Sequence, residues 1–209
     1  MKPRDLLLSK LETRVAPHLA AIGFRFAPSK LSFSRKVAFA RQEIAFSLDR
    51  WNFEDHCGFW TVWGASAPAY KKWHHEKFGV APSNDALGGV SDWNIPGWSR
   101  RFIDQATLTN DRESDQSVVN QLVKDICDCG LPFLDQISTW EGAAENLVEQ
   151  GWMYDRAADF LLIAGDPKRS QEILQIGVRQ FTILGRRDNL DELPRLRARL
   201  NLFSKQSAG

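Results

Sequence analysis

The residues able to do chemistry in this sequence are four histidines, three cysteines and a scatter of paired carboxylates. His74 and His75 are adjacent, so on a helix their rings diverge by about 100° and do not face one ion. Zinc sites ordinarily use an i, i+4 pair or a tight Cys/His spacing, so His56 and Cys57 join that pair only if the fold gathers them. Cys127 and Cys129 stand two apart in a helical stretch and point to nearly opposite sides. With Cys57 they make an odd set, which is no disulfide framework and reads as buried reduced thiols. Glu54/Asp55, Asp125/Asp128 and Asp188/Asp191/Glu192 sit among turn residues or on polar helix faces. With no nucleophile or apolar pocket beside them to tune a proton transfer, they read as solvated carboxylates and caps. His18 has no partner spacing of any kind. Glycine-rich phosphate loops, Gly-x-Ser-x-Gly and His-Glu-x-x-His are absent from the sequence. The chain is therefore expected to be no enzyme and to hold neither metal nor cofactor.

Binding chemistry is better represented. Eight tryptophans are spread along the chain. Trp93 and Trp98 bracket Ile95-Pro96-Gly97 in an irregular stretch, and tryptophan concentrates where partners dock. Asp85, Asp92 and Asp104 surround them and suit encounter with a cationic partner. These five residues are the expected partner-binding site. Arg25, Lys30, Arg35, Lys36 and Arg41 interleave with Phe24, Phe26, Phe33 and Phe39, a pattern that suits single-stranded nucleic acid. The phenylalanines hold the buried parity, however, which leaves the charges as solvated surface. Nucleic acid is the alternative reading.

The elements that must position these residues follow from periodicity. Leu8, Leu11, Val15, Leu19 and Ile22 write one face of a helix that Pro17 should bend and Gly23 should stop. The period then drops to two through Phe24/Phe26, Leu31/Phe33 and Ile44/Phe46/Leu48, with a turn at Pro28-Ser29-Lys30. Phe59–Trp63 is apolar on both faces and reads as a central strand, in which Trp60 and Trp63 face opposite ways. Pro68 opens a helix to about Phe78. Residues 79–98 show no period and read as a long loop, after which Arg101–Ile103 return to the sheet. From Ser117 the chain is helical. Gly130 and Pro132 end one helix, Ser138 with Glu141 opens another, and Asp166-Pro167 a third. Ile173, Leu174, Gly177, Val178 and Phe181 stripe that third helix, and Leu193, Leu196, Leu200 and Phe203 a last one. The expected architecture is α+β: an N-terminal helix on an antiparallel meander over residues 1–137, then helical hairpins over 138–209.

Several of these signals also carry a resemblance. Leu19-Ala20-Ala21-Ile22-Gly23-Phe24 ends the leading helix, and Phe33-Ser34-Arg35 follows on a strand. Then come Phe46–Asn52 with its Trp-Asn ending, the strand Phe59–Gly64, and Gly130-Leu131-Pro132-Phe133-Leu134. In order and spacing, residues 4–137 resemble the bacterial domain of unknown function numbered 4304. That family offers no catalytic residues to carry over. Some relatives are suspected immunity proteins, so the resemblance implies an immunity role with a cognate toxin as partner. Together with the missing catalytic motifs and the acidic stretch carrying Trp93 and Trp98, it makes a stoichiometric protein-binding module the expected function.

Composition sets the frame for all of this. With 43% hydrophobic and 25% charged residues the 209-residue chain is globular, and its net charge is +1. Residues 1–79 hold 13 basic and 7 acidic side chains, residues 80–150 hold 4 and 12, and residues 151–209 hold 10 and 7. One basic and one acidic region are thus expected, and no obligate nucleic-acid binder. The leading apolar run, Leu6–Leu8, is too short for a membrane span or a signal peptide, so a cytoplasmic location is expected.

Overall fold

A computed structural model describes residues 1–100, 105–184 and 192–206. The chain divides into two compact units, one of residues 1–68 and 89–138, the other of residues 69–88 and 139–209.

The first unit opens with α1 (Pro3–Lys10), a π-helical turn at Leu11–Val15 and α2 (Ala16–Ala20). Proline at 17 lacks an N–H and crowds the carbonyl one turn back. The widened turn just before it supplies the room, so the expected bend takes the form of a π turn. The insertion also shifts the buried face. Leu6, Leu7, Leu11, Val15 and Leu19 are buried, while Ile22 lies past the helix end and is exposed. Gly23 closes the helix in the left-handed region (φ +88°), where Phe24 N–H donates to Leu19 O at 3.0 Å.

The meander follows as β1 (Arg25–Ala27), β2 (Ser32–Val37), β3 (Ala40–Leu48) and β4 (Cys57–Ser66), each antiparallel to the next. Register places Phe26, Phe33, Ile44 and Trp63 abreast on one face. On that face the rings of Phe33 and Phe46, and of Phe46 and Phe59, stand 6.0 and 6.1 Å apart, an aromatic diagonal across three strands.

Two further strands complete the sheet: β5 (Ala86–Ser91), beside β4, and β6 (Ala106–Leu108), antiparallel to its Cys57–Phe59 end. The irregular stretch expected over 79–98 therefore contains a strand. Glycine hid it from periodicity. A Cβ on Gly89 would stand 2.8 Å from Trp63 O, so this strand crosses too close to β4 for a side chain there. Arg101–Ile103, expected to return to the sheet, lie outside the described residues, and β6 is the strand that returns.

Helix α4 (Arg112–Asp125) begins five residues before the expected Ser117, where Asp111 caps it by accepting from Ser114 N–H at 2.8 Å. Gly130 and Pro132 do not end it. The chain passes through a π turn at Ile126–Gly130 straight into α5 (Leu131–Ile137), and Pro132 falls in the first turn of α5, where its missing N–H costs nothing. Glycine at 130 answers a steric demand: a Cβ there would lie 2.2 Å from Cη2 of the Trp63 indole.

The second unit is α3 (Pro68–Phe78, from Ala69), α6 (Trp140–Glu149), α7 (Tyr154–Ala164), α8 (Pro167–Leu184) and α9 (Glu192–Gln206). Thr139, not Ser138, caps α6 by accepting from Gly142 N–H at 3.0 Å, because the Ser138 hydroxyl is spent on Leu134 O and Gln42. Asp166 caps α8 as its sequence predicts, accepting from Arg169 N–H at 2.9 Å. Gly177 lets α8 approach α7, since a Cβ there would stand 2.8 Å from Tyr154. Among the described residues no helix is long and apolar enough to cross a membrane.

Gly130→Ala should lower the unfolding free energy by about 1–3 kcal/mol, the usual cost of overpacking a filled core. In a Trp63→Phe background, which removes the ring atoms in the way, the same substitution should cost less. Urea denaturation of the four proteins measures the coupling.

Candidate functional site: the outer face of the sheet

The five residues singled out as a partner site are dispersed. Asp104 lies outside the described residues, and Asp85 is a half-buried residue of the second unit. Trp93 is half-buried with its ring 6.3 Å from that of Trp60. Trp98 is half-buried edge-on to Trp63 at 5.6 Å. Asp92 corrects the expectation of a steering carboxylate: it points into the unit. Strand β4 pairs with β6 at one end and β5 at the other, and the N–H of Thr61 falls between them. Asp92 Oδ2 accepts from that N–H at 2.7 Å and from the Thr61 hydroxyl at 2.9 Å, and Trp93 N–H donates to Oδ1 at 2.8 Å. Thr61 Oγ1 in turn accepts from Trp63 Nε1 at 2.6 Å. Burial pushes the Asp92 carboxyl up, against the pull of these donors. The neighbouring cavity, shared with Trp60, Trp98 and Asp125, has a volume of about 20 Å³, which is room for a single water.

The other reactive groups are equally committed. Cys57 is buried, and burial first, then Asp115, pushes its thiol up to about 11. It is no nucleophile at neutral pH. Cys127, expected buried, is exposed and Cys129 is half-buried, because the π turn directs Ile126 and Gly130 inward and the residues between them outward. Asp125, expected on a solvated face, is buried and accepts from Gln121 Nε2 at 2.8 Å and from the Ser99 hydroxyl. Asp115 is buried too. Its Oδ1 accepts from Thr109 N–H at 2.8 Å. Lys10 Nζ lies 3.1 Å from Oδ2 but outside hydrogen-bonding geometry, so the attraction there is coulombic. Among the described residues no three His, Cys, Asp or Glu side chains gather as a metal site.

The basic strands split by parity. Arg35 shares the inner face with Phe33 and is no solvated charge. Its guanidinium lies 4.6 Å over the Phe24 ring and donates to Gln42 Oε1 (2.6 Å), Ile22 O (3.1 Å) and Asp135 Oδ1 (2.8 Å). Gln42 Nε2 also reaches Asp135 Oδ1 at 3.0 Å and the Ser138 hydroxyl at 2.9 Å. This network ties β2 and β3 to α2 and α5. Sequence pattern missed it because Arg35 and Gln42, at buried parity, are polar.

Arg25, Lys36 and Arg41 face the other way. Lys36 stands directly opposite Arg41 in the β2–β3 ladder, and Arg25 opposite Ser34 in the neighbouring pair. All three are exposed, and among the described residues none has a carboxylate within ion-pair distance. Arg41 reaches the Ser34 hydroxyl at 3.5 Å. Together with Phe39 they line an open groove of about 560 Å³ that has no acidic residue in its wall. Glu43, opposite Ser34, is the nearest carboxylate along the ladder and makes no ion pair with them.

Asp92→Ala should lower stability by about 1–3 kcal/mol, the cost of stranding the buried Thr61 donors. Chemical denaturation checks this. Compared with family models, curated proteins and solved structures, the chain matches none of them.

Proposed function

We propose that this chain is a non-catalytic binding module with an anionic partner, and that single-stranded nucleic acid suits its outer sheet face best. The observation that carries the reading is Lys36 held opposite Arg41, with Arg25 on the next strand and, among the described residues, no carboxylate within ion-pair distance of any of them. Like charges directly opposite one another destabilise a sheet, and a phosphate between them relieves that repulsion. Away from the cations the same face carries Ser34, Ala27, Ala45, Gly64 and Val62, small or short side chains on which a strand of nucleotides can lie, with Glu43 between Ser34 and Gly64 as its one carboxylate in the β1–β4 ladder. Trp60, six residues along β4 from the Ser66 that faces Arg41, offers an aromatic plane about 20 Å away.

Anisotropy of a labelled single-stranded oligonucleotide tests this. Three phosphate contacts give a slope of log K against log salt of about −2. Replacing Arg25, Lys36 and Arg41 together with Ala should flatten that slope and leave the thermal midpoint unchanged or higher. No binding by the wild type at low salt ends the nucleic-acid reading.

A protein partner, the immunity-like role that the family resemblance implies, is the second reading, and one observation favours it. On the β3–β4 loop Trp51 is 72% and Phe53 64% exposed, with Arg50 stacked on Trp51 at 4.9 Å. Tryptophan and arginine are the residue types that dominate interface energetics. Trp51→Ala with Phe53→Ala should abolish co-purification with the product of the adjacent gene while shifting stability by less than about 0.5 kcal/mol.

A further inference from the structure

The helical unit contains a cavity of about 450 Å³, within the range of small-molecule sites. Its floor is polar and its geometry is closely determined. Asp159, on α7, is 3% exposed. Its Oδ2 accepts from the Tyr70 hydroxyl at 3.1 Å and from Arg199 Nη2 at 3.1 Å. The same Nη2 lies 3.0 Å from His74 Nε2, while His74 Nδ1 lies 2.7 Å from Val80 O. A carbonyl only accepts and a guanidinium only donates, so the ring is held as its Nδ1–H tautomer with the Nε2 lone pair toward Arg199. The Arg199 guanidinium also stacks 3.3 Å above the Phe78 ring. Thus Nη2 is doubly used, whereas Nε and Nη1 make no hydrogen bond among the described residues. Arg156 spends Nη1 on Asn84 Oδ1 (2.7 Å) and Ala86 O (3.3 Å) and keeps further donors. Met153, which lines the cavity, holds a left-handed backbone (φ +54°) as the residue that opens α7.

Charge decides what this cavity accepts. The titratable and charged groups that line the cavity with Asp159 are Tyr70 and His74 from α3, Asp155 and Arg156 from α7, and Glu192, Arg195 and Arg199 from α9; among the described residues α8 adds none. Among the described residues three arginines stand against three carboxylates, so that lining is neutral with Asp159 ionised and carries one positive charge with Asp159 protonated. We propose that the cavity binds a small organic carboxylate, its anion on the unused donors of Arg199 and Arg156 and its apolar body against Phe78, Val80 and Met153, with uptake of one proton by Asp159. The proton comes from solvent and no covalent bond changes. Burial pushes the Asp159 carboxyl up to about 7, against the pull of Arg199 and the Tyr70 bond and with a further push from Asp155. An arriving anion disfavours the ionised form further, so the site is competent below pH 7 and weakens above it. This inference does not depend on the outer face of the sheet.

Calorimetric titration of the full chain with benzoate, with inorganic phosphate as a probe lacking an apolar body, tests the proposal. Benzoate should bind at pH 6, with a dissociation constant that rises by up to about tenfold per unit above pH 7, the linkage of one proton. Phosphate should bind at least about tenfold more weakly, a difference of about 1.4 kcal/mol. Asp159→Asn should bind benzoate with no pH dependence, Arg199→Met should lose it, and the Arg25/Lys36/Arg41 triple alanine variant should keep it. The wild-type pH series requires no variant to fold. Absence of benzoate binding at pH 6, binding that ignores pH, or equal affinity for phosphate each overturns the proposal.

Discussion

The seating of Trp63 against the backbone of the π turn is the contact on which the first unit depends. The indole is fully buried, and it comes so near Gly130 that no Cβ fits between them. Its N–H finds Thr61 Oγ1, and Thr61 is held in turn by Asp92. One large apolar ring thus brings a polar atom into the core and requires a chain of acceptors to satisfy it. That chain ends on the half-buried carboxylate of Asp92, which also fills the gap between β5 and β6. The two strands join the same edge of β4 without meeting because a side chain stands in for the missing ladder.

Cations in this unit divide into two kinds by the face on which they fall. Lys10 and Arg35 lie against the interior, and each is matched with a carboxylate from the α4–α5 run, Asp115 and Asp135. Removing Lys10 or Asp135 leaves the buried Asp115 or the largely buried Arg35 uncompensated in a poorly solvated place, which is costly. Arg25, Lys36 and Arg41 are on the open face with no such match among the described residues. An exposed unmatched charge costs little in water, so it can be kept for a ligand without loss of the fold. On the strands, parity alone separates Arg35, which is matched, from Arg25, Lys36 and Arg41, which have no match among the described residues.

In the helical unit the order is reversed: the polar groups converge inward. Tyr70, His74, Asp159 and Arg199 come from three helices and share a single carboxylate oxygen and a single guanidinium nitrogen. Such a shared centre fixes α3, α7 and α9 relative to one another more specifically than apolar contact does. It also gives the unit a titratable group near neutrality, because the carboxylate is held by donors yet deprived of water.

Local pattern determined most of the secondary structure, and the physical reason is that each element has one buried side with a period of its own. The first helix with its Gly23 stop, the meander through Phe59–Trp63, the helix from Pro68 and the Asp166 cap were all legible in the residues themselves. Where glycine replaced side chains, as in β5, no period survived to be seen. Where a π turn absorbed Gly130 and Pro132, punctuation that normally ends a helix did not. The candidate sites were beyond local pattern altogether. That Arg35 is paired and Arg25, Lys36 and Arg41 are not depends on Asp135, a hundred residues from Arg35, and on which strand face α5 covers. That Asp92 turns inward depends on an unpaired N–H at Thr61. Asp159, Tyr70 and Arg199 lie 89 and 40 residues apart along the chain, each unremarkable on its own helix. Only packing brings them within hydrogen-bonding reach, and burial, which no single residue specifies, gives the carboxylate its affinity for a proton.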